Sequence, residues 1–527
     1  MNHSRINNPP AMAITLMHRR SNFQRLPTKT AAFLPPSPPK TSSFFSFSTS
    51  FLLLVLLTIW SLSVLLSSSF QICFSSRKLD SYCISSGALS HSLRHLIPPS
   101  NLSRTYKPIT AANNEISEAV KLVEEKLHLM RKWVSANSNI NCSGKGIFVY
   151  DLPSKFNKDL IAQCNKLLPW TDLCEFLVKD GIGLPIPRLG PGWYRTHQYS
   201  LEPIFHSRVL NHRCRVSDPA QARLFYVPFY AGLDVLRWHF ANASISDKDR
   251  LSSELVKWLE TRPEWTRRSG RDHMFVLGKI SWDFRRVGDG PWGSNFLSLP
   301  EMQSPFKFLI ERQPWELNEI GIPHPTHFHP HSDDDIATWQ ARVASAARGK
   351  LVSFVGAARP ESTESIRSVL IKQCTAAAAE CRFVDCGGGG CGEPGDVMTT
   401  FMESEFCLQP PGDSPTRKSV FDGLVAGCIP VIFNPFTAYY QYPWHLPEDY
   451  EKYSVYVEEE EVRTGKVNVM ERLRAVEPDK RKEMRRYIIY ELMPGLLYGD
   501  AGSQFRKFRD AFGIIMDSMT EIASKLE

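Results

Sequence analysis

The first 79 residues contain no acidic side chain, although they hold eight Lys or Arg. Beyond them 54 basic residues face 55 acidic ones, so the net charge of +7 belongs to the N-terminus and the rest of the chain is close to neutral. That distribution excludes a basic, aromatic-interleaved nucleic-acid footprint. Charge of either sign is missing between Lys40 and Arg77, and Phe51 to Leu66 lies at the centre of this gap. Flanked by Phe44–Phe47 and Phe70–Phe74, the run reaches the roughly 20 residues a helix needs to cross a bilayer. A cleaved signal peptide has an apolar core of only about 7–15 residues, so a transmembrane signal anchor over residues 48–70 is expected. Paired C-x₂-C spacing is also lacking among Cys374, Cys381, Cys386 and Cys391. This favours a loop clipped by one or two disulfides over a zinc site. Gly387–Gly390 between them does not follow a strand and open a helix, as a phosphate cradle would.

Arg5, Arg19, Arg20, Arg25, Lys29 and Lys40 precede the apolar run. The positive-inside rule then keeps residues 1–47 in the cytosol, as a Pro/Ser-rich disordered tail, and puts the body in a lumen. Three N-glycosylation acceptors, Asn101, Asn141 and Asn242, fall on the lumenal side. So do eleven of the twelve cysteines, in a compartment that permits disulfides. Residues 71–143 read as a stem. Within it Ile116, Val120, Val123, Leu127, Met130 and Val134 recur at steps of four and three. This helical stripe could pack on the body or pair with another copy.

At this length two globular domains are expected after the stem. The chain is organised around Glu405–Phe433, which reads as strand, Gly/Pro loop, amphipathic helix, Gly stop and buried strand, a βαβ unit. Ligands of open α/β sheets sit beyond the carboxyl ends of the strands, so Pro410–Lys418 should line a site. Gly412 permits close backbone approach, Ser414 and Thr416 offer hydroxyls and helix caps, and Arg417 with Lys418 supplies charge. A helix N-terminus adds free N–H groups for a nucleotide diphosphate. Asp422, one turn in, could accept both hydroxyls of a ribose. An ordinary βαβ loop with a surface Arg-Lys pair has the same spacing, and composition leaves both readings open.

Cys407–Ser414, Ser419–Asp422, Gly427–Val431 and Gln441–Pro447 resemble, in that order, the signature of the exostosin-like glycosyltransferases of family 47, in the plant branch with xyloglucan galactosyltransferases. Arg223–Gly232 resembles the family's first-domain motif. The resemblance runs from about Gly144 to the C-terminus. It implies a GT-B fold: an N-terminal Rossmann-like acceptor domain, 144–345, and a C-terminal sugar-nucleotide domain, 346–527. It also implies a Golgi type II membrane enzyme that moves galactose from UDP-galactose, with inversion, onto xylose branches of xyloglucan. UDP-galacturonic acid is the neighbouring alternative, and would call for a further cation. Gly192–Val216 and Leu168–Cys174 look closest to enzymes acting on the second xylose of the repeat. Donor binding then falls to Gly412, Ser414, Arg417, Lys418 and Asp422, with no metal or other cofactor, because GT-B enzymes stabilise the leaving diphosphate with helix dipoles and cationic side chains.

The base that deprotonates the acceptor hydroxyl should come from the first domain. Asp151 after the strand Gly146–Tyr150, His197, and Asp283 after the strand from His273 are the candidates, with Glu405 as an outsider. His324, His327, His329 and His331 with Asp333–Asp335 form a group of metal-ligand types, but the prolines among them enforce an extended loop. A metal-dependent hydrolase on that loop and a catalytically silent Golgi partner of another transferase are the rival functions.

Overall fold

The computed structural model describes residues 71–76, 79–85, 114–136 and 141–526, apart from 287, 289, 360, 361, 363, 364 and 388. The expected tail and anchor, residues 1–70, and Asn101 lie outside the described residues. Among the described residues no helix is long and apolar enough to cross a membrane. Strands β1 (Gln71–Ser76) and β2 (Leu79–Ser85) form an antiparallel hairpin in a unit of their own.

The other compact unit carries two fully parallel sheets. The first has six strands, β3 (Gly146–Val149), β4 (Arg215–Val216), β5 (Ala222–Tyr226), β6 (His273–Ile280), β7 (Phe306–Glu311) and β8 (Glu319–Gly321), in the order β4-β3-β5-β6-β7-β8. The second has five, β9 (Lys350–Gly356), β10 (Cys381–Asp385), β11 (Ser404–Gln409), β12 (Ile429–Ile432) and β13 (Val455–Tyr456), in the order β10-β9-β11-β12-β13. The α/β class expected from the sequence is thus present.

Alternation along the strands explains why the first sheet is covered on both faces. Phe225, Phe275, Leu277 and Leu309 join one core with Phe156, Leu255 and Phe296. Their strand neighbours Leu224, Tyr226, Met274, Val276, Phe308 and Ile310 join the other, with Phe205, Ile515, Met516 and Met519. The last three lie on the closing helix, Ala511–Ser524, so the end of the chain packs on the first sheet. It opens at Ala511 because Asp510 caps it, accepting Gly513 N–H at 2.8 Å, while the N–H groups of Arg506, Lys507 and Phe508 turn to Asp333 at 2.8, 3.1 and 3.0 Å. The acidic run Glu458–Glu461 enters a short helix, Glu459–Arg463.

The stem stripe forms the helix Asn114–Arg131 and packs on the body. Val123, Leu127 and Met130 are buried, Trp444 Nε1 donates to Met130 O at 2.9 Å, and Ser135 N–H reaches Ser518 Oγ at 3.0 Å. Among the described residues, disulfides pair Cys142–Cys214, Cys164–Cys174, Cys374–Cys381, Cys386–Cys391 and Cys407–Cys428. The crowded cysteine loop is therefore clipped twice. Cys407–Cys428 ties β11 to the start of β12 across the central βαβ unit.

Candidate active site

In the second sheet the chain steps from β9 outward to β10 and from β11 outward to β12, in opposite directions. The crevice of such a sheet opens past the carboxyl ends of the two strands flanking the reversal. After β11 comes the loop Pro410–Arg417; after β9 come Arg359 and, on the first turn of the helix Ile366–Ala376, Arg367. Arg359 pairs with Asp413. Arg367 donates through Nε to Pro411 O at 3.1 Å and through Nη1 to Ala357 O at 3.4 Å. Burial lowers its pKa to about 10, with the charges of Arg417 and Arg359 acting in the same direction. Desolvation, partly offset by Asp413, lowers the Arg417 pKa. Three guanidinium groups thus crowd one loop around one exposed carboxylate. A Cβ on Gly412 would overlap Arg417 Nη1 and lie 2.7 Å from Arg367 Nη2, so the bare backbone there lets both guanidinium ends lie against the loop.

The helix after the loop, Lys418–Val425, is N-capped by Arg417 without a side-chain cap bond. The sequence offers Thr416 as a cap, but its N–H and Oγ1 both bind Glu311 Oε2, at 3.0 and 2.6 Å, and Ser414 also donates to this carboxyl. Glu311 ends β7 of the first sheet and is buried, which raises its pKa against these bonds. One carboxyl group thereby fastens the loop of one sheet to the strand end of the other. Glu311→Ala leaves a buried amide and hydroxyl unpaired, a cost of about 1–3 kcal/mol for each orphaned group. The urea midpoint should fall and UDP titrations should show weaker binding; unchanged UDP affinity would disconnect Glu311 from the site.

Lys418 does not face an empty crevice. Its Nζ lies 2.8 Å from both oxygens of Asp422, which is buried one turn further on. The carboxylate that the sequence offers to a ribose is therefore engaged by Lys418, and the two form a neutral pair at the head of the helix.

Across from the loop, the charges of Lys418 and Lys279 both act on His197, and desolvation together with these charges depresses its pKa to about 4. Its Nδ1 accepts Tyr199 N–H at 3.3 Å. Lys279 sits over the Tyr199 ring at 4.1 Å and pairs with Asp283 at 3.1 Å. Asp283 is buried, accepts Trp292 Nε1–H at 2.9 Å, and its charge reaches Glu311. His197 and Asp283 are thus brought together with the donor loop. Asp151 is exposed two residues past the end of β3. Arg285 is committed to the buried Glu319. Glu405 lies at the opposite end of β11, paired with Arg485.

The four histidines of the proline-rich loop go to separate partners. His327 Nδ1 meets Tyr194 O at 3.1 Å, His329 spans Tyr498 O and Thr196 Oγ1 at 2.8 Å each, and His331 pairs with Asp500 at 3.0 Å. His324 packs against the Phe421 ring at 5.5 Å. Asp333 accepts the N–H groups of Arg506, Lys507 and Phe508, and Asp335 accepts those of His331 and Ser332 at the start of the helix Asp333–Ala344. Among the described residues the grouping with metal-ligand spacing is Cys164, Asp172 and Cys174, and its two cysteines are joined as a disulfide. The Gln441–Pro447 motif is interface: Tyr442 OH donates to Ile310 O at 2.8 Å and Arg312 N–H to Gln441 Oε1 at 2.7 Å. Asn141 and Asn242 are both exposed.

Comparison with known families places residues 141–473 in the Exostosin GT47 domain. The chain belongs to the exostosin GT47 family. Three Arabidopsis thaliana relatives of this GT47 chain carry xyloglucan in their names. Xyloglucan-specific galacturonosyltransferase 1 is 54% identical over 81% of the chain and 65% of its own length. Probable xyloglucan galactosyltransferase GT20 is 54% identical over 78% and 74%. Xyloglucan galactosyltransferase MUR3 is 40% identical over 81% and 69%. Arg359, Arg367 and Glu311 escaped the sequence reading of this GT47 site. For Arg359 a signal was available, since it stands three residues past the carboxyl end of β9.

Proposed function

We propose that this chain is a glycosyltransferase of GT-B type that moves galactose from UDP-galactose, with inversion, onto xylose branches of xyloglucan. The observation that carries the reading is the convergence of Arg359, Arg367 and Arg417 on the Gly412 loop at the sheet's switch point. With Asp413 subtracted, and Lys418 neutralised by Asp422, two positive charges are left for a diphosphate. Gly412 and Ser414 give the loop its close backbone approach, and the arginines hold the oxygens on which charge grows as the sugar–phosphate bond breaks. UDP leaves with that electron pair. The xylose hydroxyl attacks the anomeric carbon from the opposite face, its oxygen forming the new β-bond and its proton passing to a base.

Asp283 is assigned as that base. It is a carboxylate oriented by Trp292 and Lys279 beside both sheets, whereas Asp151 stands apart and the His197 Nδ1 lone pair is occupied. Asp283→Asn should lower turnover while leaving UDP affinity unchanged, and a loss of UDP binding instead would remove the assignment. The anchor over 48–70, a Golgi membrane location with the body in the lumen, glycans on Asn101, Asn141 and Asn242, and association with other transferases belong to the same proposal.

A galacturonosyl donor is the second reading, favoured by the 54% identity to the relative of that name. Its carboxylate would need a cation beyond the two matched to the diphosphate, and Lys279 supplies one only by leaving Asp283. Full-length protein incubated with UDP-galactose or UDP-galacturonic acid and xylosylated glucan oligosaccharides, followed by mass and linkage analysis, tests both. Galactose on xylose is expected; no transfer from either donor would overturn the reading.

A further inference from the structure

Four large aromatic side chains are exposed among the described residues: Trp170, Phe240, Trp292 and Tyr490. Three of them are contiguous. Trp170 meets Phe240 edge-on at 4.4 Å, and Phe240 meets Trp292 at 6.2 Å, although they come from three separate loops of the first sheet's half of the molecule. Trp170 is 63% exposed and Phe240 54%. Folding usually hides such rings, so a patch of this kind marks a binding surface. Beside it Leu168, Pro169, Arg237 and Phe240 border a shallow cavity of about 270 Å³. The strip is also continuous with the site already described. Trp292 stacks on His239 at 4.2 Å and donates its indole N–H to Asp283.

From this continuity we infer that Trp170, Phe240 and Trp292 form a platform for the neutral polysaccharide acceptor, along which pyranose rings stack as the chain runs toward Asp283. The inference rests on the transferase reading for the identity of the polymer. A pyranose ring has an apolar C–H face that an aromatic ring covers well, and a polymer presents several such faces in a row. Of the two cations on the cavity lining, Arg237 is paired with Asp234 and Lys166 is exposed at the rim. A glycan on Asn242, two residues beyond Phe240, is the rival occupant.

The test uses full-length protein in detergent and two separate measurements, retention on xyloglucan polymer in affinity gels and UDP titration. Trp170→Ala with Phe240→Ala removes two solvent-facing rings remote from the donor loop. Polymer affinity should fall roughly tenfold, about 1.4 kcal/mol, with UDP affinity and melting temperature unchanged, and Trp170→Phe should restore part of the loss. Retention unaffected by the double substitution, as the Asn242 glycan predicts, overturns the platform. So does a wild-type protein that the neutral polymer does not retard. Absence of UDP binding in the wild type would strike the transferase reading alone, because polymer retention is scored independently.

Discussion

Arg417→Ala should reduce galactosyl transfer by a factor of roughly 10²–10³, the usual loss when one preorganised donor to a developing oxyanion is removed. The side chain is placed for this role by its surroundings more than by its own bonds. The Gly412 backbone closes over it, Arg367 is fixed from Pro411 and Ala357, and Glu311 holds Thr416 immediately before it. In the proposed reaction three cations would share the diphosphate, so loss of one should weaken ground-state binding less than it weakens the transition state, where charge is greatest. The expected signature is a large fall in kcat with a smaller change in the UDP dissociation constant. Arg417→Lys keeps the charge but loses the planar fork that grips two oxygens, so it should recover only part of the activity. Full activity in Arg417→Ala, measured with UDP-galactose and a xylosylated oligosaccharide, would shift diphosphate stabilisation to Arg359 and Arg367.

The central βαβ unit was legible because its grammar is local. Apolar runs end at turn residues, and Gly427, at φ 66°, stops the helix where the sequence says it must. The arginine trio was only one-third legible. Arg417 lies in the motif and Arg359 follows the carboxyl end of a legible strand, but Arg359 and Arg367 join Arg417 only because β9 lies next to β11, a sheet order that no local pattern encodes. Glu311 was hidden for the same reason: it reads as the last residue of an apolar strand, and Thr416 is 105 positions away. Asp422 is the opposite case. Its pairing with Lys418 follows directly from i,i+4 spacing on a helix, yet the chemical appeal of a free carboxylate near a ribose obscured it. Among the base candidates, rank depended on what surrounds each group: Asp151 and Asp283 both follow strands of one parallel sheet, and only Asp283 is buried against Lys279 and Trp292, with its charge reaching Glu311.

Stability should peak near pH 6.5 and fall on both sides, steeply toward acid. Burial holds His197, His206, His212, His239 and His329 at about 4 and His324 and His445 at about 3. In the unfolded chain an imidazole takes up its proton near 6.5. Between about pH 4 and 6.5 the unfolded state therefore binds more protons at these positions, so their contribution is complete above 6.5 and is lost as the pH falls. Each such imidazole contributes a slope of up to about 1.4 kcal/mol per pH unit. Asp234 and Asp517, raised to about 6 chiefly by burial, oppose this over part of the range but are outnumbered. On the alkaline side the sign reverses at Glu202. Desolvation lifts it to about 8 against the N–H groups of Gly232, Gly278 and Leu233, so the native state keeps a proton that the unfolded chain has shed above about 4.5. Its contribution declines as the pH rises to 8. Urea midpoints taken from pH 4.5 to 8.5 should trace this asymmetric dome. Glu202→Gln, which keeps a carbonyl for the Gly232 and Gly278 amides, should flatten the alkaline limb and steepen the acid limb between about pH 4.5 and 6.5, where the Glu202 proton opposes the imidazoles. A midpoint that rises on acidification from pH 6.5 to 5 would mean that the buried imidazoles carry protons in the folded state, which would place charged rings beside Lys418 and Arg417 and alter the electrostatics on which the donor site depends.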